Sequence, residues 1–259
     1  MLGVSSTLRQ PDISLLQLIS RYALPATTIS VGFVLVTPWL VSKGVDTFTA
    51  FVASALPWFV LVIAHIGLEG RRDGRWSLNN LTPFSEPLPG LRTFPIFAAT
   101  LVLIFLLYGL GDYLITPLST WVQTWLPAWH FDNQDTQKTM AKMLGERGTL
   151  ELVALLVSVN VFIGVLMPIL EEMYFTGVLL PKAIERWGRG GIAFHTLLFS
   201  AYHLFSIWLL PVRILSIWPL FALAYRYRSV KLTILVHCCL NLVGGLGITI
   251  AVLEAMAGK

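Results

Sequence analysis

The amino-acid sequence predicts an all-α fold: a polytopic transmembrane helical bundle of about seven spans with an N-terminal interfacial amphipathic helix. Three observations carry that reading. Apolar residues make up 56% of the chain and charged residues only 12%, where soluble domains run near ~25% charged. Runs long enough to cross the hydrocarbon core, which takes ~20 apolar residues, recur along the sequence. The total length of 259 residues accommodates one compact bundle and no sizeable soluble domain beside it. Residues 1–259 are therefore expected to form a single membrane domain.

The first twenty-one residues carry Arg9, Asp12 and Arg21 among polar neighbours, without the basic, apolar and small-residue order of a cleavable signal peptide, so Met1 is the expected mature N-terminus. Pro11 and Asp12 precede Ile13, Leu15, Leu16, Leu18 and Ile19, which reads as a capped amphipathic helix lying on the membrane. Crossings are expected near residues 22–42, 48–68, 94–116, 149–180, 191–210, 212–226 and 231–254. The sixth is the weakest, because it is short and contains Arg213 and Pro219; neighbours or a tilt would have to support it.

Two longer connections separate these runs. Residues 69–93 hold Gly70, Gly74, Pro83, Pro87, Pro89 and Gly90 among charges, the composition of a loop. Residues 113–148 space Trp121, Trp125 and Trp129 four apart, so on a helix they share a face and read as an interfacial aromatic belt.

Orientation follows from the basic residues. With a cytoplasmic N-terminus, Arg9, Arg21, Arg71, Arg72, Arg75, Arg92, Lys182, Arg186, Arg189, Arg226, Arg228 and Lys231 fall on that side, against Lys43, Lys138, Lys142, Arg147, Arg213 and Lys259 on the other. Twelve against six favours the N-terminus inside. The same topological role accounts for the net charge of +4, so no nucleic-acid partner is inferred; the lipid bilayer is the expected surrounding, in a bacterial plasma membrane. Cys238 and Cys239 are adjacent in an apolar run, a poor arrangement for a mutual disulfide, and read as small buried hydrophobes.

Against this background a few polar residues stand out. A carboxylate in the bilayer interior costs at least ~2.5 kcal/mol on insertion scales. Glu171 and Glu172 nevertheless follow Pro168 on the fourth run, His203 lies on the fifth, and His237 precedes Asn241 by four residues on the seventh. Helical rise of ~1.5 Å per residue places Glu171 ~16 Å from Lys182, His203 ~21 Å from Arg189 and His237 ~9 Å from Lys231. All three reference residues belong to the expected cytoplasmic side, so the three spans present these groups at compatible depths. Any one intramembrane His or Asn is readily explained as a bond between helices. A glutamate pair, two histidines and an asparagine on three successive spans are harder to assign to packing. His65, His195 and His130 are read as structural.

A glutamate beside histidines in a low-dielectric, partly hydrated cavity can activate water for attack on a carbonyl. An asparagine and a histidine on a third helix can donate to the oxyanion that results. The same Glu171, His203 and His237 could instead hold a zinc ion with a position open for water, and spacing does not separate these options.

The segment Glu171-Glu172-Met-Tyr-Phe-Thr-Gly177, then Phe199-x-x-x-His203, then His237-x-x-x-Asn241, resembles the three motifs of the intramembrane proteases related to type II CAAX prenyl endopeptidases and bacteriocin-processing proteins, often called CPBP or Abi. The resemblance covers roughly residues 150–250, expected to be the catalytic core. It implies an intramembrane endopeptidase acting on a peptide or membrane-protein substrate. Glu171 with His203 would activate water, His237 and Asn241 would stabilise the oxyanion, and Glu172 would be a supporting carboxylate. Members are described both as metalloproteases and as metal-independent glutamate proteases, so the resemblance leaves zinc open.

One position departs from the family. The first motif normally ends in an arginine four residues after the second glutamate, and here that residue is Thr176. Positions 172 and 176 share a helix face, so the arginine would pair with the second carboxylate, whereas threonine offers only a hydroxyl. That change raises the alternative of a weakened relative acting as a scaffold or chaperone. A proton-coupled carrier would also use an intramembrane Glu and His, but the inverted repeat and paired broken helices common in carriers are not visible in the sequence.

Overall fold

The computed structural model describes residues 13–72, 74, 83, 84, 86, 90, 94–125, 144 and 147–258. Every regular element among them is helical: α1 (Leu15–Ser42), α2 (Thr47–Ser54), α3 (Leu56–Arg72), α4 (Phe94–Gln123), α5 (Thr149–Trp187), α6 (Gly190–Tyr202), α7 (Leu210–Tyr227) and α8 (Val230–Ala257), with a short 3₁₀ turn, Leu204–Leu209, between α6 and α7.

Helices α1, α5 and α8, and the stretch Phe94–Gly111 of α4, are long and apolar enough to cross a membrane; α2 and α3, bent by 41° at their junction, make a fifth crossing if taken together. Their outer faces carry large apolar side chains, among them Leu35, Val60, Leu106 and Leu246. That arrangement suits lipid, since water-soluble monomers rarely expose contiguous apolar surface of this extent. Helix α6 has only 13 residues, and α7, at 18 residues, carries Arg213 and Pro219.

The structure departs from the expected elements at α1, at α4 and at Arg213. Residues Leu15–Arg21 continue without a break into α1, a helix of 28 residues, instead of forming a separate element. The cap is Ser14, whose side chain accepts from the Gln17 N–H while the Gln17 side chain accepts from the Ser14 N–H, the reciprocal capping box; Pro11 and Asp12 lie outside the described residues. Helix α4 runs on to Gln123, so Trp121 and Trp125 are helical neighbours with ring centroids 5.5 Å apart, while Trp129 and His130 lie outside the described residues. Arg213, counted above on the non-cytoplasmic side, is buried inside the bundle. The two cysteines are free and partly buried.

Helix α5 is the axis of the fold. Two stretches, Ser158–Leu166 and Glu172–Leu179, widen to π-type turns, with Met167 N–H bonding to Phe162 O and Leu180 N–H to Phe175 O, five residues back. Helix α8 packs against this helix where side chains are minimal: a Cβ on Gly245 would lie 2.8 Å from Val159 Cγ1, and one on Gly164 2.7 Å from Leu242 Cδ2. Small residues of this kind let helix backbones approach in a membrane. At the end of α5, Gly188 adopts φ +55° and reverses the chain into α6.

Basic residues assigned to one side of the membrane meet at one end of the bundle. Glu69 accepts from Arg21 at 2.9 Å, Arg72 at 3.3 Å and Lys182 at 3.0 Å, tying α1, α3 and α5 together. Deeper in, the Tyr22 hydroxyl and His195 Nδ1 bond at 2.6 Å between α1 and α6, and His65 stacks on Tyr174 at 5.7 Å, so both histidines have structural contacts.

The first turn of α6 admits no side chain at Gly191, where a Cβ would come within 2.3 Å of the Ala183 carbonyl oxygen. Gly191→Ala is expected to destabilise the protein by about 1–3 kcal/mol, read as a lower thermal midpoint in detergent. Gly109→Ala, where a Cβ meets nothing within 4 Å, should leave the midpoint unchanged or slightly raised.

Candidate active site

Pro168 stands at the start of the α-helical turn Met167–Glu171, which lies between the two π-type stretches of α5. Consecutive residues on a helix point in different directions, and the two glutamates diverge accordingly. Glu171 lines a cavity of about 290 Å³. Glu172 is fully buried and turned away from that space, towards α8 and its own helix.

Each carboxylate has its own partners. Glu172 Oε2 accepts from the Thr176 hydroxyl at 2.6 Å, and its Oε1 lies 2.9 Å from His237 Nδ1. Glu171 Oε1 accepts from the Tyr202 hydroxyl at 3.3 Å, and its Oε2 lies 3.8 Å from His237 Nε2. The His237 ring therefore stands between the two carboxylates. An imidazole can offer an N–H to both only as the imidazolium, which would also place a positive charge between two negative ones.

His203 ends α6, with φ −83° and ψ 56° taking the chain out of the helix. Its Nδ1 lies 3.1 Å from the Phe199 carbonyl oxygen; a carbonyl only accepts, so this nitrogen carries the proton and Nε2 is left for the cavity. Asn241 sits one helical turn beyond His237, and its Nδ2 donates to Ile163 O at 2.9 Å. A side-chain amide has two such hydrogens, so one is left for the cavity that Asn241 also lines.

Of the five residues expected from sequence, Glu171, His203, His237 and Asn241 face one cavity, and Glu172 supports it from behind. Asn160 and Thr249 add a second polar tie between α5 and α8, at 3.0 and 3.3 Å. Tyr202 and Arg213 were missed as members of the site. Tyr202 adjoins His203 in sequence, and a hydroxyl at that position was a usable signal. Arg213 was visible as a charge within an apolar run.

The zinc option can be tested on the donor set. Among the described residues no group of three His, Cys, Asp or Glu side chains is arranged to hold a metal ion. The two ring nitrogens of His237 are directed at carboxylates, so Glu171, His203 and His237 do not form a ready ligand triad in this arrangement.

The cavity is walled by Phe48, Phe51, Phe199 and Phe205, with Glu171 and the histidines as its polar groups beside Arg213. It thus joins a carboxylate, two imidazoles and an amide to an apolar chamber within the bundle. Comparison with curated proteins and with solved structures returned no match. Residues 153–243 match the Rce1-like family, described as type II CAAX prenyl endopeptidase; all five motif residues lie within that stretch, in agreement with the resemblance of the motifs.

Proposed function

We propose that the chain is an intramembrane endopeptidase that hydrolyses a peptide bond of a peptide or membrane-protein substrate, with Glu171 as the base. The observation that carries this reading is the convergence of Glu171, His203, His237 and Asn241, from three separate helices, on one apolar-walled cavity, in a segment matching a protease family. The whole bundle, α6 and α7 included, would lie in the membrane with the N-terminus cytoplasmic. The meeting of Arg21, Arg72 and Lys182 around Glu69 supports a common side for those residues.

In this mechanism Glu171 removes a proton from a water molecule as the water oxygen bonds to the scissile carbonyl carbon. His203, presenting Nε2, orients that water. The carbonyl π pair moves to oxygen, and the spare N–H of Asn241, with the positive field of His237, stabilises the oxyanion. Glu171 then gives its proton to the departing nitrogen as the C–N bond breaks, leaving a carboxylic acid and an amine. Tyr202, donating to Glu171 Oε1, fixes the carboxylate in line with the cavity. Glu172 holds the His237 ring at Nδ1 and acts through it as a positioning residue.

Thr176 argued for a scaffold when only the sequence was read. Its hydroxyl now occupies one oxygen of Glu172 and His237 the other, so the second carboxylate has two partners without the family arginine. This favours the enzyme over the scaffold, and no observation supports the carrier.

Glu171→Gln and His203→Ala are each expected to lower cleavage by about 10²–10⁴-fold, the usual contribution of a general acid–base group, while insertion and thermal midpoint are retained. Wild-type rates in both variants would sink the proposal. Thr176→Val, which leaves a buried carboxylate oxygen without its donor, should lower stability by about 1–3 kcal/mol, and Thr176→Ser should restore most of it. Because the groups above carry every step, activity should persist after dialysis against a strong chelator; loss that zinc alone reverses would overturn this assignment.

A further inference from the structure

A guanidinium is expensive to keep inside a membrane protein unless something compensates its charge. Arg213 is the fourth residue of α7 and only 7% exposed. Its Nη2 donates to the Ser206 hydroxyl at 2.9 Å, a neutral partner, and Glu171 attracts the guanidinium only across space, without a bond. Its Nη1 is buried with no hydrogen-bond partner among the described residues, and none of the ion pairs found among them includes it.

The side chain is not sealed in packing. Arg213 lines the same cavity as Glu171, His203, His237 and Asn241. Glu171, the carboxylate that shares this space, already accepts from Tyr202 and faces His237. The bond to Ser206 also fixes the fork: Ser206 has φ −141° and ψ 48° inside the break that follows His203, so the guanidinium is pinned to the turn that ends α6. The cavity thus presents aromatic walls, a catalytic end and one pre-positioned cation with an unused donor.

We infer that Arg213 is the substrate anchor of this cavity: its guanidinium takes a carboxylate of the peptide, while the aromatic wall takes the apolar side chain next to it. Planar fork geometry suits a carboxylate and strengthens the pair in a dry site. The carboxylate comes either from the peptide C-terminus or from an Asp or Glu side chain. This rests on the peptidase reading, which it deepens by giving the substrate a required negative group.

The test uses the full chain in detergent and three dye-labelled peptide pools sharing one apolar sequence pattern. The first ends in a free carboxylate, the second in an amide, and the third in an amide with one internal glutamate. Binding is read by anisotropy in the Glu171→Gln background, which stops turnover, and cleavage by the wild type. A carboxylate pool should bind at least about tenfold more tightly than the plain amide pool, the scale of a charge-assisted hydrogen bond in a buried site; whichever carboxylate pool wins identifies the source. Adding Arg213→Gln should bring that ratio close to one, and Arg213→Lys, which keeps the charge but loses the fork, should give an intermediate ratio. In turnover, Arg213→Gln should raise KM for the preferred pool by about tenfold or more with a much smaller change in kcat. Should Arg213→Gln not fold, the lysine variant carries the same comparison.

Equal binding of all pools would overturn the anchor, as would a loss of kcat at unchanged KM in every pool, since that would place Arg213 at the reacting bond. Carboxylate selectivity that depends on Arg213 without any cleavage by the wild type would sustain the anchor and sink the peptidase.

Discussion

Two carboxylates on adjacent residues inside an apolar bundle set the terms for everything around them. Neither can stay there without partners, and the fold assigns each its own. Glu172 is closed off by Thr176 and His237, whereas Glu171 keeps an open face on the cavity. The ring of His237 is the common element, and its position depends on how closely α8 can lie against α5. That approach is closest at Gly164 and Gly245, where a Cβ would press on Leu242 and Val159, and is reinforced by the polar ties of Asn160 and Asn241. The small residues of the seam and the charged residues of the site are parts of one arrangement.

The second half of the site comes from a helix that stops. Helix α6 ends at His203, whose imidazole lines the cavity, and the following turn is held by Arg213 through Ser206. The break itself lines the cavity, through His203, Phe205, Ser206 and Leu209. It also frees the His203 Nδ1 to bond with a carbonyl of its own helix, which fixes which nitrogen faces the chamber.

Much of this was legible in the sequence. Composition gave the helical membrane class, and intramembrane cost singled out Glu171, Glu172, His203, His237 and Asn241, four of which share the cavity while the fifth braces it. Other features could not be read from residue types. Periodicity assumes a uniform helix, so it did not reveal the π-type turns of α5 or the stop of α6 at thirteen residues. Arg213 was legible as a charge within the sixth apolar run, and its place in the cavity with Glu171 is a property of packing. The role of Thr176 needed a distance: the same hydroxyl that seemed a poor substitute for arginine reaches the carboxylate at 2.6 Å.

The widened turns of α5 have an evolutionary consequence. A π-type turn is an α-helix with one extra residue accommodated, so losing a single residue between Glu172 and Leu179 would return that stretch to ordinary winding. Because the wide turn absorbs its extra residue locally, the helix beyond it would keep its facing, and Lys182 its side towards Glu69. A lineage could thus gain or lose the wide turn by a single codon while keeping both ends of the helix in place, a change that substitution-based comparison of the motifs would not register.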